Sequence, residues 1–206
     1  MQNEVTLIGT YGSDELHALS AWTSTSRELT DDKRTRIPAL LTQLAAAGHH
    51  TPFEKSTLHF LVTCDTASHI HLIKHRIGVS VNAESARYKE LKDDKFYIPE
   101  DWPDDLQESV YRDLESIYDL YHKILNTLVE NFDFDRKRAK ESARFILPYA
   151  NQLTLDVSFN FRSFMHFQML RNEEHAQKEI REIAQEMLRL VKDTHKFDAS
   201  IAAFGY

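Results

Sequence analysis

Cysteine is almost absent. Cys64 stands alone among 206 residues, so no intrachain disulfide can form, which fits a reducing compartment. No apolar run is long enough to span a membrane. The first residues, MQNEVTLIGTYG, show no basic segment leading into an apolar one, so no secretory signal is expected and the expected location is cytoplasmic. Glycine and proline number five each, and no repeat, low-complexity tract or flexible linker is evident. Cationic excess is missing too. The formal net charge is −7, whereas a protein that coats nucleic acid is more often basic. Neither a nucleic-acid polymer nor a membrane is therefore expected as a partner. An anionic ligand has to be held by a local cluster of cations, not by the field of the whole molecule.

What is present suits a folded, water-exposed protein. Hydrophobic residues make up 42% and charged residues 28%, ordinary proportions. The length suits one domain with a sizeable core, or two closely joined halves; the reading adopted is a single mixed helix/sheet domain over residues 1–206, of α+β class with long helices. Strands are expected at 4–9, 56–63 and 154–159, the last two from their alternation, with a short one at 96–98. Helices are expected from Ser13 as N-cap to about 23, from 30–32 to 47 ended by Gly48, and at 66–75. Further helices are expected at 104–131, along the basic stretch DRKRAKESAR, at 160–171 and at 174–192. Pro38 is expected to distort the start of the second helix. In the longest helix Leu106, Val110, Leu114, Ile117, Tyr121, Ile124, Leu128 and Phe132 keep a three/four spacing. The end, 197–206, is a short apolar tail.

The stretch His71–Tyr88, HLIKHRIGVSVNAESARY, concentrates donors and cations in an otherwise acidic chain. It leaves a helix, passes Gly78, where the chain can turn sharply, and carries Ser80, Asn82, Ser85 and Arg87. Backbone N–H groups, hydroxyls and a guanidinium suit a phosphate cradle, although an ordinary polar loop has the same look. His71 and His75, four apart, share one helix face, and with His49 or His50 they could form a metal site. No Glu lies between them as in a metalloprotease helix and no His-Asp pair accompanies them, so no metal is expected. Near the C-terminus Asn160, Arg162, His166, Gln168, Arg171 and His175 are interleaved with Phe and Met side chains that read as core. Arg162 and Arg171, nine apart, fall on opposite sides of a straight helix.

Three stretches, in order, carry a resemblance to a known family. They are GHHTPFE at 48–54, KHR followed by SxNxxSxRY at 74–88, and NxRSxxHFxxLRxxxxAQxEI at 160–180. Together they resemble the motifs of the flavin-dependent thymidylate synthases over most of the chain. The resemblance implies an α+β fold, a homotetramer with FAD at subunit interfaces, and reductive methylation of dUMP to dTMP. The carbon would come from methylenetetrahydrofolate, the hydride from reduced FAD, and NADPH would reduce the flavin. Carried over by position, His49, Thr51, Glu54, Lys74, His75, Arg76, Asn82, Asn160, Arg162 and His166 would bind FAD. His71, Ser85, Arg87, Arg144 and Arg171 would serve dUMP, with Arg144 reaching a neighbouring subunit's nucleotide. The implied catalytic positions are Arg171, beside the pyrimidine, and Ser85, read as a phosphate or substrate ligand because no sequence-local base accompanies it.

The chain departs from the family pattern at four points. Lys74 replaces the first Arg of an Arg-His-Arg triplet and loses its planar fork. Eight residues rather than seven separate Arg76 from Ser85. His71 stands at a usual Gln, and Ala83 where Glu is frequent. All four border the implied nucleotide and flavin sites. They motivate a second reading, hydroxymethylation of a pyrimidine nucleotide or use of another base on the same fold. Two further readings are a histidine-ligated metal hydrolase built on His49, His71 and His75, and a non-catalytic nucleotide-binding protein.

Overall fold

A computed structural model describes residues 2–26, 28–85 and 95–206. The elements run β1 (Glu4–Tyr11), α1 (Asp14–Trp22), α2 (Asp31–Ala46), a 3-10 turn (Thr51–Lys55), β2 (Thr57–Asp65), α3 (Thr66–Ile73) and β3 (Val79–Ala83). They continue with α4 (Asp104–Phe132), α5 (Arg136–Ala143), a second 3-10 turn (Arg144–Ile146), β4 (Gln152–Asn160), α6 (Phe161–Arg171), α7 (Lys178–Lys192) and α8 (Asp198–Ala203). The strands form a sheet in the order β1-β2-β4-β3. The Asn160 N–H donates to the Gly78 carbonyl, and the Glu84 N–H to the Thr154 carbonyl. The first residue rises as the second falls, so β3 and β4 are antiparallel.

Contacts divide the chain into two compact units. One takes Met1–Glu4, Thr63–Ile70 and Ala83–Leu155; the other takes Val5–Val62, His71–Asn82 and Asp156–Tyr206. The second unit is built on alternation. Leu58, Phe60 and Val62 of β2 and Val157 and Phe159 of β4 are fully buried, as period-two patterning requires. Against them α6 packs Phe164 and Phe167, with Phe60 and Phe164 stacked at 5.7 Å. Along α7 Ile180, Ile183, Ala184, Met187 and Val191 are buried at three- and four-residue spacing. Burying a large aliphatic side chain of this kind contributes about 1.5–3 kcal/mol.

In the first unit the long α4 lays Leu114, Tyr118, Tyr121 and Leu125 on Ala139 and Ala143 of α5, small residues that allow close approach. Asp135 caps α5 through Oδ1, which accepts the N–H groups of Lys137 and Arg138. The buried stripe of α4 is narrower than the spacing suggests: Leu106 and Phe132 are exposed.

Several expectations need correction. The stretch after Gly78 forms β3, because Val79 and Val81 turn inward while Ser80 and Asn82 stay exposed, a polar strand pattern that resembles a loop in sequence. The short strand expected at 96–98 is only an isolated bridge between Phe96 and Asn151. α7 begins at Lys178, and the apolar tail contains α8.

Candidate active site

Two cavities, one in each unit, gather some of the residues singled out by sequence. In the second unit the site begins at the start of α6. Asn160 caps that helix, its Oδ1 accepting the Ser163 N–H at 2.8 Å. Gly78 lies against this cap with φ of 65°, a conformation that favours glycine. A Cβ there would collide with Asn160 Nδ2 and Ser163 Oγ. Ser163 Oγ donates to the Ile77 carbonyl at 2.7 Å. The turn is thereby pinned with Ile77 84% exposed, at the edge of a cavity of about 710 Å³.

One face of α6 lines that cavity: Arg162, Met165, His166, Met169 and, beyond the helix, Glu173. These positions are three and four apart, which puts them on one side. Phe204 and Tyr206 also line it, together with His50. Burial, and secondarily the charge of Glu173, raises the Tyr206 hydroxyl above its ordinary value. Arg162 donates to Glu54 at 2.7 Å, so the carboxylate of the 3-10 turn holds the guanidinium at the rim. His49 and Thr51 line a neighbouring shallow cavity with Gly48 and Pro52, and His50 borders both.

On the other side of α6, Arg171 Nε donates to His75 Nε2 at 3.1 Å. An accepting Nε2 puts the ring proton of His75 on Nδ1. Burial pushes His75 down to about 4, and the charges of Arg171, His166 and His71 push the same way. His75 is therefore a neutral, fixed acceptor that aims Arg171. Arg162 and Arg171 engage different partners, as their spacing implied.

The first unit carries the second cavity, about 530 Å³. Ser85 and Arg144 line it together, with Thr66, Glu84, Pro148 and Tyr149 among their neighbours. The second 3-10 turn begins at Arg144, and Thr66 ties down the segment that follows it: its N–H donates to the Tyr149 carbonyl at 3.0 Å and its Oγ1 to the Asn151 carbonyl at 2.9 Å. A guanidinium, the three hydroxyls of Thr66, Ser85 and Tyr149 and an apolar wall in one depression suit an anionic ligand with an apolar portion.

Lys74, Arg76 and Asn82 are exposed, and His71 is half-buried on α3. Arg87 lies outside the described residues. Among the described residues no group of three or more His, Cys, Asp or Glu could hold a metal ion, so His49, His71 and His75 do not form the site that the metal-hydrolase reading needs.

The family profile described as thymidylate synthase complementing protein matches residues 6–195. A flavin-dependent thymidylate synthase of Pseudothermotoga lettingae is 32% identical over 91% of this chain and 84% of its own length. The chain belongs to the flavin-dependent thymidylate synthase family. The family's enzyme from Kosmotoga olearia is 30% identical over the same shares of the two chains. A crystal structure of the UMP/dUMP methylase PolB from Streptomyces cacaoi, bound with 5-Br dUMP, matches with a TM-score of 0.81 and 27% identity, over 98% of this chain and 94% of that one.

The α6 cavity fits the cofactor of a flavin-dependent thymidylate synthase. Its apolar wall of Ile77, Met165 and Met169 suits a planar ring system, and Arg162 and His166 supply donors at the rim for charged or polar groups. Sequence reasoning missed Ile77, His50, Phe204 and Tyr206 here, and Glu84 and Tyr149 in the other cavity. The family motifs pointed to Arg162 and His166 here and to Ser85 and Arg144 in the other cavity, whereas Met165 and Met169, expected to be core, line this one. The rest comes from distant stretches that meet only on folding.

Proposed function

We propose that this chain reductively methylates dUMP to dTMP, with methylenetetrahydrofolate as carbon donor, FAD as cofactor and NADPH as reductant, working as a homotetramer. The observation that carries the reading is the pairing of Ser85 with Arg144 in one cavity and of Arg162 with His166 in another, in a chain of this family. Arg144 and Ser85, joined by Arg87, hold the nucleotide phosphate through charge-assisted hydrogen bonds. Arg162 and His166 hold FAD with the apolar wall of α6, and Glu54 keeps Arg162 in place. Bound FAD, once reduced, supplies the hydride; the protein orients the reactants and places charge. Arg171, aimed by neutral His75, stabilises negative charge developing on the pyrimidine. Lys74, Arg76 and Asn82, exposed within one chain, contribute to FAD binding at an interface between copies.

A second reading has its own support. The PolB structure is of a methylase that takes UMP as well as dUMP, and eight residues separate Arg76 from Ser85 here. Both nucleotides are therefore candidate substrates. The test is direct. Purified protein loaded with FAD should be yellow and convert dUMP to dTMP with methylenetetrahydrofolate and NADPH. The mass of the product distinguishes methyl from hydroxymethyl transfer. A protein that takes up no FAD and leaves dUMP unchanged would sink the proposal.

A further inference from the structure

We infer that Tyr206 is a cofactor contact in the α6 cavity, a wall that α6 itself does not supply, and that it meets the isoalloxazine ring of FAD. This rests on the flavin reading of that cavity.

The turn after α8 puts Tyr206 there. Gly205 has φ of 87°, the left-handed conformation in which helices commonly end. The Tyr206 N–H donates to the Ile201 carbonyl at 3.3 Å and the Gly205 N–H to the Ala202 carbonyl at 3.0 Å, the paired bonds of a Schellman turn. Phe204, just before the glycine, pins that turn to the core. Its ring lies 5.0 Å from Phe53, edge to face, and 6.1 Å from Phe161, both fully buried. It also lies 5.4 Å from His50.

Tyr206 lines the same cavity but is not committed in this way. Among the described residues its ring has no aromatic partner and its hydroxyl no hydrogen bond. Burial and then the charge of Glu173 raise the hydroxyl above its ordinary value, so it stays a neutral phenol that can donate or accept. Ile77, Met165 and Met169 give the cavity an apolar wall, and thioethers pack well on aromatic rings. FAD carries two ring systems. Adenine is polar around most of its rim. Isoalloxazine has a polar pyrimidine end and an apolar dimethylbenzene end, which matches a cavity that joins an apolar wall to Arg162, His166 and a phenol.

The test is titration of the full chain with FAD, without nucleotide, folate or reductant, read by affinity and by flavin fluorescence. A phenol touching an excited isoalloxazine quenches its emission by lending an electron that then returns; a benzene ring is too hard to oxidise. Tyr206→Phe keeps the ring and removes the hydroxyl. Bound FAD should become severalfold brighter, with affinity within about threefold of wild type. Tyr206→Leu removes the ring, and affinity should fall about tenfold, the scale of a lost aromatic contact. Unchanged affinity in Tyr206→Leu overturns the assignment. So does weaker binding in Tyr206→Leu without brightening in Tyr206→Phe, which would put the adenine there instead.

Gly205 offers variants that leave the Tyr206 side chain alone. A Cβ added at Gly205 meets nothing within 4 Å, so only the left-handed backbone is at stake. Gly205→Val should brighten bound FAD and weaken it about tenfold, the scale on which a Cβ disfavours that backbone. Gly205→Asn, which tolerates the conformation, should bind FAD as wild type does. Binding by Gly205→Val equal to wild type overturns the role of the turn. Wild-type protein that takes up no FAD brings down the flavin reading as well; normal uptake with unaltered Tyr206 variants sinks Tyr206 alone.

Discussion

Around α6 the polar side chains are tied to the scaffold. Arg162 is held by Glu54, Arg171 by His75, and Asn160 and Ser163 by each other and by the Gly78 turn. Around Ser85 the first unit is more open. Arg144 is exposed and makes no ion pair among the described residues, and beside it Phe145 and Tyr149 are 81% and 67% exposed. The contrast fits the proposed division between a cofactor cavity and a substrate cavity. A cofactor that stays bound gains from groups locked in advance. A substrate that must enter and leave on every turnover is served by a looser site, here one that a second copy of the chain is proposed to complete.

The sharpest way to break this comparison is Arg171→Ala. If Arg171 stabilises charge in the transition state, turnover of dUMP should drop on the order of a thousandfold, the scale of losing one preorganised donor, while the thermal transition stays near that of wild type. Unchanged turnover would remove Arg171 from the chemistry.

Next comes the rigidity of the α6 cavity. Gly78→Ala adds a methyl where the backbone is left-handed and where Asn160 and Ser163 already stand. It should destabilise the fold by about 3 kcal/mol, combining strain with overpacking. A melt within a degree of wild type would show that the turn is not pinned as described.

The same unit carries an acid-sensitive brace. Ser200 Oγ donates to Asp14 Oδ1 at 2.5 Å, so His17 Nδ1–H donates to Ser200 Oγ at 2.8 Å, and His17 Nε2 accepts from Ser56 Oγ at 2.7 Å. The ring is fully buried among Phe53, Phe161 and Phe197, and burial lowers its pKa to about 4 from 6.5. Between those values the unfolded chain binds a proton that the folded chain refuses. Stability from this group is full above about pH 6.5 and is lost as the pH falls toward 4, by about 3 kcal/mol at most. His75, also near 4, titrates in the same window. Denaturant midpoints measured across that range should fall with acid, and His17→Gln should flatten part of the slope. A midpoint independent of pH would contradict the network.

The smallest effects separate the two cavities. Arg144→Ala should weaken dUMP binding about tenfold and leave flavin uptake unchanged. Arg162→Ala should do the reverse, seen as reduced flavin absorbance after purification. If both variants lose both ligands equally, the division of labour between the cavities is wrong.

Some of this was open to sequence reasoning. The alternating apolar residues of β2 and β4 and the three/four spacing of α4 announced the elements, because burial of one face imposes the period. Ser13 and Thr30 announced two helix starts, since their side chains accept the N–H of Leu16 and of Lys33. Ser85, Arg144, Arg162 and His166 were chosen through the family resemblance. β3 was hidden because Ser80 and Asn82, two of its five residues, are polar and exposed, and α8 because six residues carry too little periodicity.

The order of the chain alone settled which family it belongs to, the absence of any disulfide within the chain, and most of its helices. Those follow from local chemistry and from motifs that lie within one stretch. Folding alone decided that Glu54 should hold Arg162, that His75 should aim Arg171, and that Ile77, Tyr206 and Glu84 should line cavities. Each of those depends on segments far apart in the chain being brought within hydrogen-bonding or van der Waals reach. No spacing rule reports that, because the packing of the sheet and of α6 sets it.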